Sequence, residues 1–155
     1  SAMTMTGNQD SEDASYLELA EFIATWGEPD HINHDLAELF NRVVFNVATA
    51  NRDDHLRNHG FIRTPSGWRL APAFDMNPSF KKGEHALALD LYSRQPDIGV
   101  VLATAGYYRL DLNRAEKIIS DTGKVIAGWK TRARKLGLSA HAVAEAEHLF
   151  LSLNH

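Results

Sequence analysis

Leu19, Phe22, Ile23 and Trp26 recur at the i, i+3, i+4, i+7 spacing of an amphipathic helix. The pattern predicts a helix from about Ser15 to Trp26, with Ser15 and Glu18 as a capping box and Gly27 and Pro29 as its stop. Leu36, Leu39, Phe40, Val43, Val44 and Val47 continue the same period for three turns, which predicts a second helix from about His34 to Thr49, buried along one side. Its β-branched residues lower helix propensity slightly, but the period outweighs propensity. Phe61-Ile62-Arg63 and Trp68-Arg69-Leu70, joined by Thr64-Pro65-Ser66-Gly67, read as a β-hairpin. Alternating Leu87, Leu89 and Leu91 predict a further short strand over Ala86 to Leu91. Ile98 to Tyr107 reads as an apolar helix or helical turn. Asn113 with Glu116 signals the start of a long helix whose inner face carries Ala115, Ile118, Ile119, Val125, Ile126 and Trp129, with Gly137 as its C′ residue. Ser139 caps a last helix through Leu153. The fold class expected is mostly α, with one or two small β-hairpins.

The first dozen residues are small and polar, with no apolar period, and Ser1-Ala2-Met3 reads as the scar of tag removal. Residues 1–14 are therefore expected to be a disordered remnant and tail, and residues 15–155 one domain. At 155 residues the chain is long enough to bury a core. The formal charge of −4 argues against generic binding to nucleic acid or anionic membrane. The chain has no cysteine, so it has neither disulfides nor thiolate metal ligands, which fits a reducing cytoplasm. No apolar run reaches the roughly 18–20 residues of a membrane span, and no signal-peptide pattern opens the chain.

The candidate chemistry lies in Asn51-Arg52-Asp53-Asp54-His55-Leu56-Arg57-Asn58-His59-Gly60. Asp53 and Asn58 stand at the Asp-x-x-x-x-Asn spacing of the protein-kinase catalytic loop, where the acid handles the hydroxyl proton of the substrate and the amide holds magnesium. A downstream acid, Asp75, comes after the second strand of the hairpin within an apolar phrase, where a lone carboxylate is costly unless paired or metal-bound. Asn58 and Asp75 together offer magnesium two hard oxygen ligands. The bland alternatives are a solvated polar turn for Asp53 and Asn58, and a turn-capping acid for Asp75. His55 is expected to brace the loop and Arg57 to pair with a phosphate or carboxylate. A zinc site is conceivable on His55 and His59 or on His31 and His34, but the first pair needs helical geometry that the charged loop and Gly60 disfavour. No Gly-x-Ser-x-Gly elbow and no glycine-rich phosphate loop is present.

The loop, together with Gly67-Trp68-Arg69-Leu70-Ala71-Pro72-Ala73-Phe74-Asp75-Met76-Asn77-Pro78 and the preceding Phe40-Asn41-Arg42-Val43-Val44-Phe45-Asn46, resembles the core of the HipA-like serine/threonine kinases, the toxins of bacterial toxin–antitoxin modules. The resemblance runs from about Tyr16 to the C-terminus and covers only the helical C-terminal lobe of that protein-kinase-like fold. It implies Asp53 as catalytic base, Asn58 and Asp75 as magnesium ligands, and supporting places for His55 and Arg57 in the catalytic loop. It also implies Mg2+ and ATP as cofactors of the intact kinase, a translation-related protein as substrate, and a HipB-like DNA-binding antitoxin as partner. This chain is then expected to touch neither membrane nor nucleic acid itself. The lysine and phosphate-covering loop of the N-terminal lobe are absent from the 155 residues, so the lobe alone is expected to be inactive or nearly so. Two further readings are a noncatalytic kinase-like module that binds an antitoxin or another protein, and a lobe of a small-molecule kinase.

Overall fold

The computed structural model describes residues 2–6, 14–151 and 153. Seven helices are described: α1 (Ala2–Thr6), α2 (Tyr16–Trp26), α3 (Ile32–Ala48), α4 (Ile98–Ala103), α5 (Leu112–Ala127), α6 (Trp129–Lys135) and α7 (Ala140–Glu147). One hairpin joins them, β1 (Phe61–Arg63) antiparallel to β2 (Trp68–Leu70), with Phe61 opposite Leu70 and Arg63 opposite Trp68. Short 3-10 turns lie at Pro29–His31, Leu56–Asn58 and Ala105–Tyr108.

The core is built around α3. Its apolar stripe of Leu36, Leu39, Phe40, Val43, Val44 and Val47 is buried, and the helix packs against α2, α4, α5 and β2. Each such side chain, fully buried, contributes roughly 1.5–3 kcal/mol before entropy is counted. Phe40 meets Tyr108 edge-on at 5.2 Å between ring centroids. The polar positions that border this stripe, Asp35, Arg42 and Asn46, are buried as well. They lie seven and then four residues apart, so they share one face of the helix.

That face holds the hairpin and the segment after it. Asp35 accepts hydrogen bonds from Arg69 Nε at 2.9 Å, Arg69 Nη2 at 3.1 Å and the Leu70 amide at 2.9 Å. Burial alone would raise the Asp35 carboxyl, but these bonds and one from His34 outweigh it and bring it below its ordinary range. Arg42 is oriented by Glu38 and donates to the Ala71 carbonyl at 2.8 Å. Gly67 closes the hairpin turn where a Cβ would lie 2.6 Å from the Glu28 amide nitrogen, so a side chain is excluded there.

Several expectations are corrected. The strand over Ala86–Leu91 is a single parallel bridge between Ser15 and Ala88. Only Ala88 pairs with the backbone at α2, and the chain then turns at Asp90, whose carboxylate accepts from the Tyr92 and Ser93 amides. The alternating leucines record burial of Leu87 and Leu89 beside an exposed Leu91, not a ladder. The long helix starts at Asp111, whose side chain caps the Arg114 amide at 2.8 Å, rather than at Asn113. It breaks at Gly128 into α5 and α6, which leaves Val125 exposed, and Gly137 in the left-handed region comes after α6. Ser139 does cap the last helix, but that helix ends at Glu147. Trp26 ends α2 exposed to solvent, whereas Trp68 lies near Phe22 and under Arg63, and Trp129 packs on Phe150. Part of the expected tail is structured: α1 forms where Ala2 is fully buried and donates its amide to the His59 carbonyl at 2.9 Å, and Ala14 is buried in the core. Docking, not periodicity, holds so short a helix.

Phe40→Ala removes the ring from the fully buried centre of α3 and is expected to cost about 3–5 kcal/mol in a urea or thermal melt. A loss below about 1 kcal/mol would contradict this packing.

Candidate active site

The loop after α3 begins with strain. Ala50 is buried in the left-handed region (φ 57), and its carbonyl accepts from the Arg52 amide at 2.9 Å and the Ser79 amide at 2.8 Å. Asn51 donates from its side chain to Asn46 Oδ1 at 3.0 Å, which fastens the start of the loop to the last turn of α3.

The two adjacent acids then part. Asp54 is buried, with 3% exposure, and its Oδ2 accepts from Tyr16 Oη at 2.6 Å, Asn46 Nδ2 at 2.8 Å and His59 Nε2 at 2.8 Å. Three donors from α2, α3 and the far end of the loop thus satisfy one carboxylate, the condition under which a buried charge is tolerated. Burial, with the Asp54 charge beside it, pushes the Tyr16 phenol well above its ordinary value, so it stays a donor. Asp53, the next residue back, points outward with its side chain 61% exposed and pairs with Lys82. That hydrogen bond holds the Asp53 carboxyl below its usual range, as a proton acceptor.

Asn58 ends the 3-10 turn Leu56–Asn58 with its side chain buried, and its amide donates to the His55 carbonyl at 2.8 Å. A narrow cleft is lined by Asn46, Asp54, Asn58 and His59 together with Phe74 and Met76. Phe74 and Met76 flank Asp75, so the hairpin returns the segment carrying the downstream acid to the loop carrying Asn58. Asp75 is exposed, in the left-handed region (φ 56), and accepts from Asn77 Nδ2 at 3.0 Å. The sequence argument from burial of Asp75 is thereby corrected: the apolar phrase around it is itself solvent-exposed, because it crosses the surface. Asp and Asn tolerate this backbone better than other non-glycine residues. Arg57 is exposed, and the Nδ1 of His55 is buried without a hydrogen-bond partner. His59, far from a zinc ligand, is spent on Asp54.

For magnesium, the fit rests on donor chemistry. Asn58 offers an amide oxygen that no described side chain engages, and Asp75 an exposed carboxylate, both hard oxygen donors on segments that line one cleft. No group of three His, Asp or Glu fit for a metal ion is found among the described residues. Magnesium does not need one, since it keeps several waters and takes one or two carboxylates. The broader groove between α3 and α5 contains none of the five predicted site residues.

Sequence reasoning missed Asp54, Asn46, Tyr16 and Lys82. Asn46 and Tyr16 carried a signal, because buried polar positions on otherwise apolar helices demand partners. Lys82 carried none, since its approach to Asp53 depends on the path of the loop after Asn77.

Asp54→Ala is expected to cost about 3–5 kcal/mol, because it strands Tyr16, Asn46 and His59, whereas Asp53→Ala changes stability by less than about 0.5 kcal/mol. Urea melts of the two variants check this; equal losses would contradict the opposed orientation of the acids. His85 is also buried, which lowers its imidazole from 6.5 to about 4, with Arg52 adding to the shift. Its folded value lies below its unfolded one, so its contribution is full above pH 6.5 and is lost as pH falls towards 4. His85→Gln is expected to flatten the stability–pH curve across that window; an unchanged slope would refute it.

Comparison with known proteins gives this geometry a family. The model of the HipA-like C-terminal domain matches residues 1–129. Among solved structures, the fold is similar to a chain of the Shewanella oneidensis MR-1 toxin–antitoxin complex of HipA, HipB and operator DNA, with TM-score 0.65 and 20% identity. The likeness covers 90% of this chain and 34% of that one, so this chain spans about a third of the relative's length. No curated protein sequence matches. With the family model matched across most of its length, the chain belongs to the HipA-like C-terminal domain family.

Proposed function

We propose that this chain is the catalytic C-terminal lobe of a HipA-like serine/threonine kinase that transfers the γ-phosphoryl group of ATP to a protein. One observation carries the reading: the buried Asp54 carboxylate fixes the loop so that Asp53 faces solvent, while the neighbouring cleft is lined by Asn58 and by the segment bearing Asp75. Asp53, ionised and exposed, accepts the proton of a serine or threonine hydroxyl as its oxygen bonds to the γ-phosphorus. The bond to the β,γ-bridging oxygen breaks, and ADP leaves with its electron pair. Asn58 and Asp75 would hold Mg2+, whose chemistry there is to neutralise phosphate charge. Arg57, exposed and without a partner among the described residues, is available to phosphate or to substrate.

Affinity and turnover in this reading belong to the parent protein, whose N-terminal lobe covers the nucleotide. The likeness to a toxin solved with HipB and operator DNA supports a HipB-like antitoxin as that parent's partner. A cytoplasmic site of action fits the same reading, and no described helix is long and apolar enough to cross a membrane.

Calorimetric titration of the chain with ATP is expected to show weak binding that requires Mg2+ and is lost in Asp75→Ala. In the parent, Asp53→Ala is expected to lower kcat by at least about a hundredfold while the fold persists. No binding at millimolar nucleotide would remove the kinase-lobe reading and favour a noncatalytic module that binds antitoxin or another protein.

A further inference from the structure

We propose that Lys82 is the cation that engages the transferred γ-phosphoryl group at this site, an assignment that rests on the kinase-lobe reading above. Its position is set by the loop that crosses the start of the catalytic loop. The Ser79 amide donates to the Ala50 carbonyl at 2.8 Å, and the Ala86 amide donates to the Arg52 carbonyl at 3.0 Å. The segment between them is thus fastened at both ends to the residues that precede Asp53. Arg52 Nη1 donates to the Lys82 carbonyl at 2.5 Å, which fixes the lysine's own main chain. The ammonium then reaches Asp53, with the two side chains 48% and 61% exposed.

The geometry of the reaction turns this pair into a phosphate contact. A hydroxyl that gives its proton to Asp53 lies about 2.6–3.2 Å from the carboxylate. In a near-attack arrangement its oxygen lies about 3–3.5 Å from the γ-phosphorus. A cation already bound to the Asp53 carboxylate is therefore within one side-chain movement of the phosphoryl oxygens. In the nucleotide complex the ammonium bridges the Asp53 carboxylate and the γ-phosphoryl oxygens, and as Asp53 takes the proton and loses its charge the ammonium shifts wholly to those oxygens. Neither arginine of the catalytic loop stands in this place. Arg52 is committed to the Lys82 carbonyl, and no contact joins Arg57 to Asp53 among the described residues. Lys82 is a compact point charge on a flexible stem, suited to following phosphate oxygens through the step.

The test is calorimetry on the 155-residue chain with MgATP and, separately, MgADP, comparing wild type with Lys82→Met and Lys82→Arg. Lys82→Met is expected to weaken MgATP binding about tenfold, the loss of one charge-assisted contact, and to change MgADP binding less than about twofold. Lys82→Arg is expected to restore most of the MgATP affinity. Because Lys82 is half-exposed, circular-dichroism melts of all three proteins should coincide. If wild type binds both nucleotides and Lys82→Met weakens both equally, or weakens neither, Lys82 does not meet the γ-phosphate and this assignment falls while the lobe reading stands. If wild type binds neither nucleotide, the lobe reading falls and the assignment falls with it.

Discussion

A single buried carboxylate sets the geometry of this domain's functional face. Asp54 collects donors from α2 (Tyr16), α3 (Asn46) and the end of its own loop (His59), and each of those elements is fixed separately by the apolar core. Burying the charge is costly on its own, so the loop is stable only in the conformation that delivers all three hydrogen bonds. That conformation leaves Asp53, in the turn at residues 52–53, facing solvent. The loop's exposed side is thus specified from beneath, by a buried residue.

The same logic extends along α3. Its apolar stripe organises the core, and its buried polar residues organise the site in order: Asp35 holds β2 through Arg69 and Leu70, Arg42 holds Ala71, and Asn46 holds Asp54. One helix therefore spaces the hairpin, the segment leading to Asp75 and the loop of Asp53 and Asn58 relative to one another. A small two-stranded hairpin is marginal on its own, and here the ion pair of Asp35 with Arg69 makes it a dependable spacer. The loop at Ser79–Ala86 adds the fourth piece, tied across the strained Ala50 turn and carrying Lys82 to Asp53.

Much of this was legible in the sequence, and the reason differs by element. Helices α2 and α3 and the hairpin follow from period and turn chemistry, signals that live within a dozen residues. The resemblance of the loop and the Asp75 segment led to the family that the matched model shows. The features that sequence did not yield depend on contacts distant along the chain. The leucines at 87, 89 and 91 alternate like a strand, yet only Ala88 forms a bridge, to Ser15. Helix α1 has no period to read, because it exists through docking on His59. Asp75 looked buried among apolar neighbours that in fact lie on the surface. Lys82 sits in an ordinary Lys-Lys-Gly turn, and only the path of the chain brings it to Asp53.

The kinase-lobe reading requires that Asn58, on the loop anchored at Asp54, and Asp75 form one divalent-cation site. Titration of the isotopically labelled chain with Mn2+, a paramagnetic stand-in for Mg2+, reads this directly by NMR line broadening. The account predicts broadening centred on the amides around Asn58 and Asp75, competed by Mg2+ and abolished in Asp75→Ala. Broadening centred instead on the exposed acids of α5, or broadening that persists unchanged in Asp75→Ala, would contradict it.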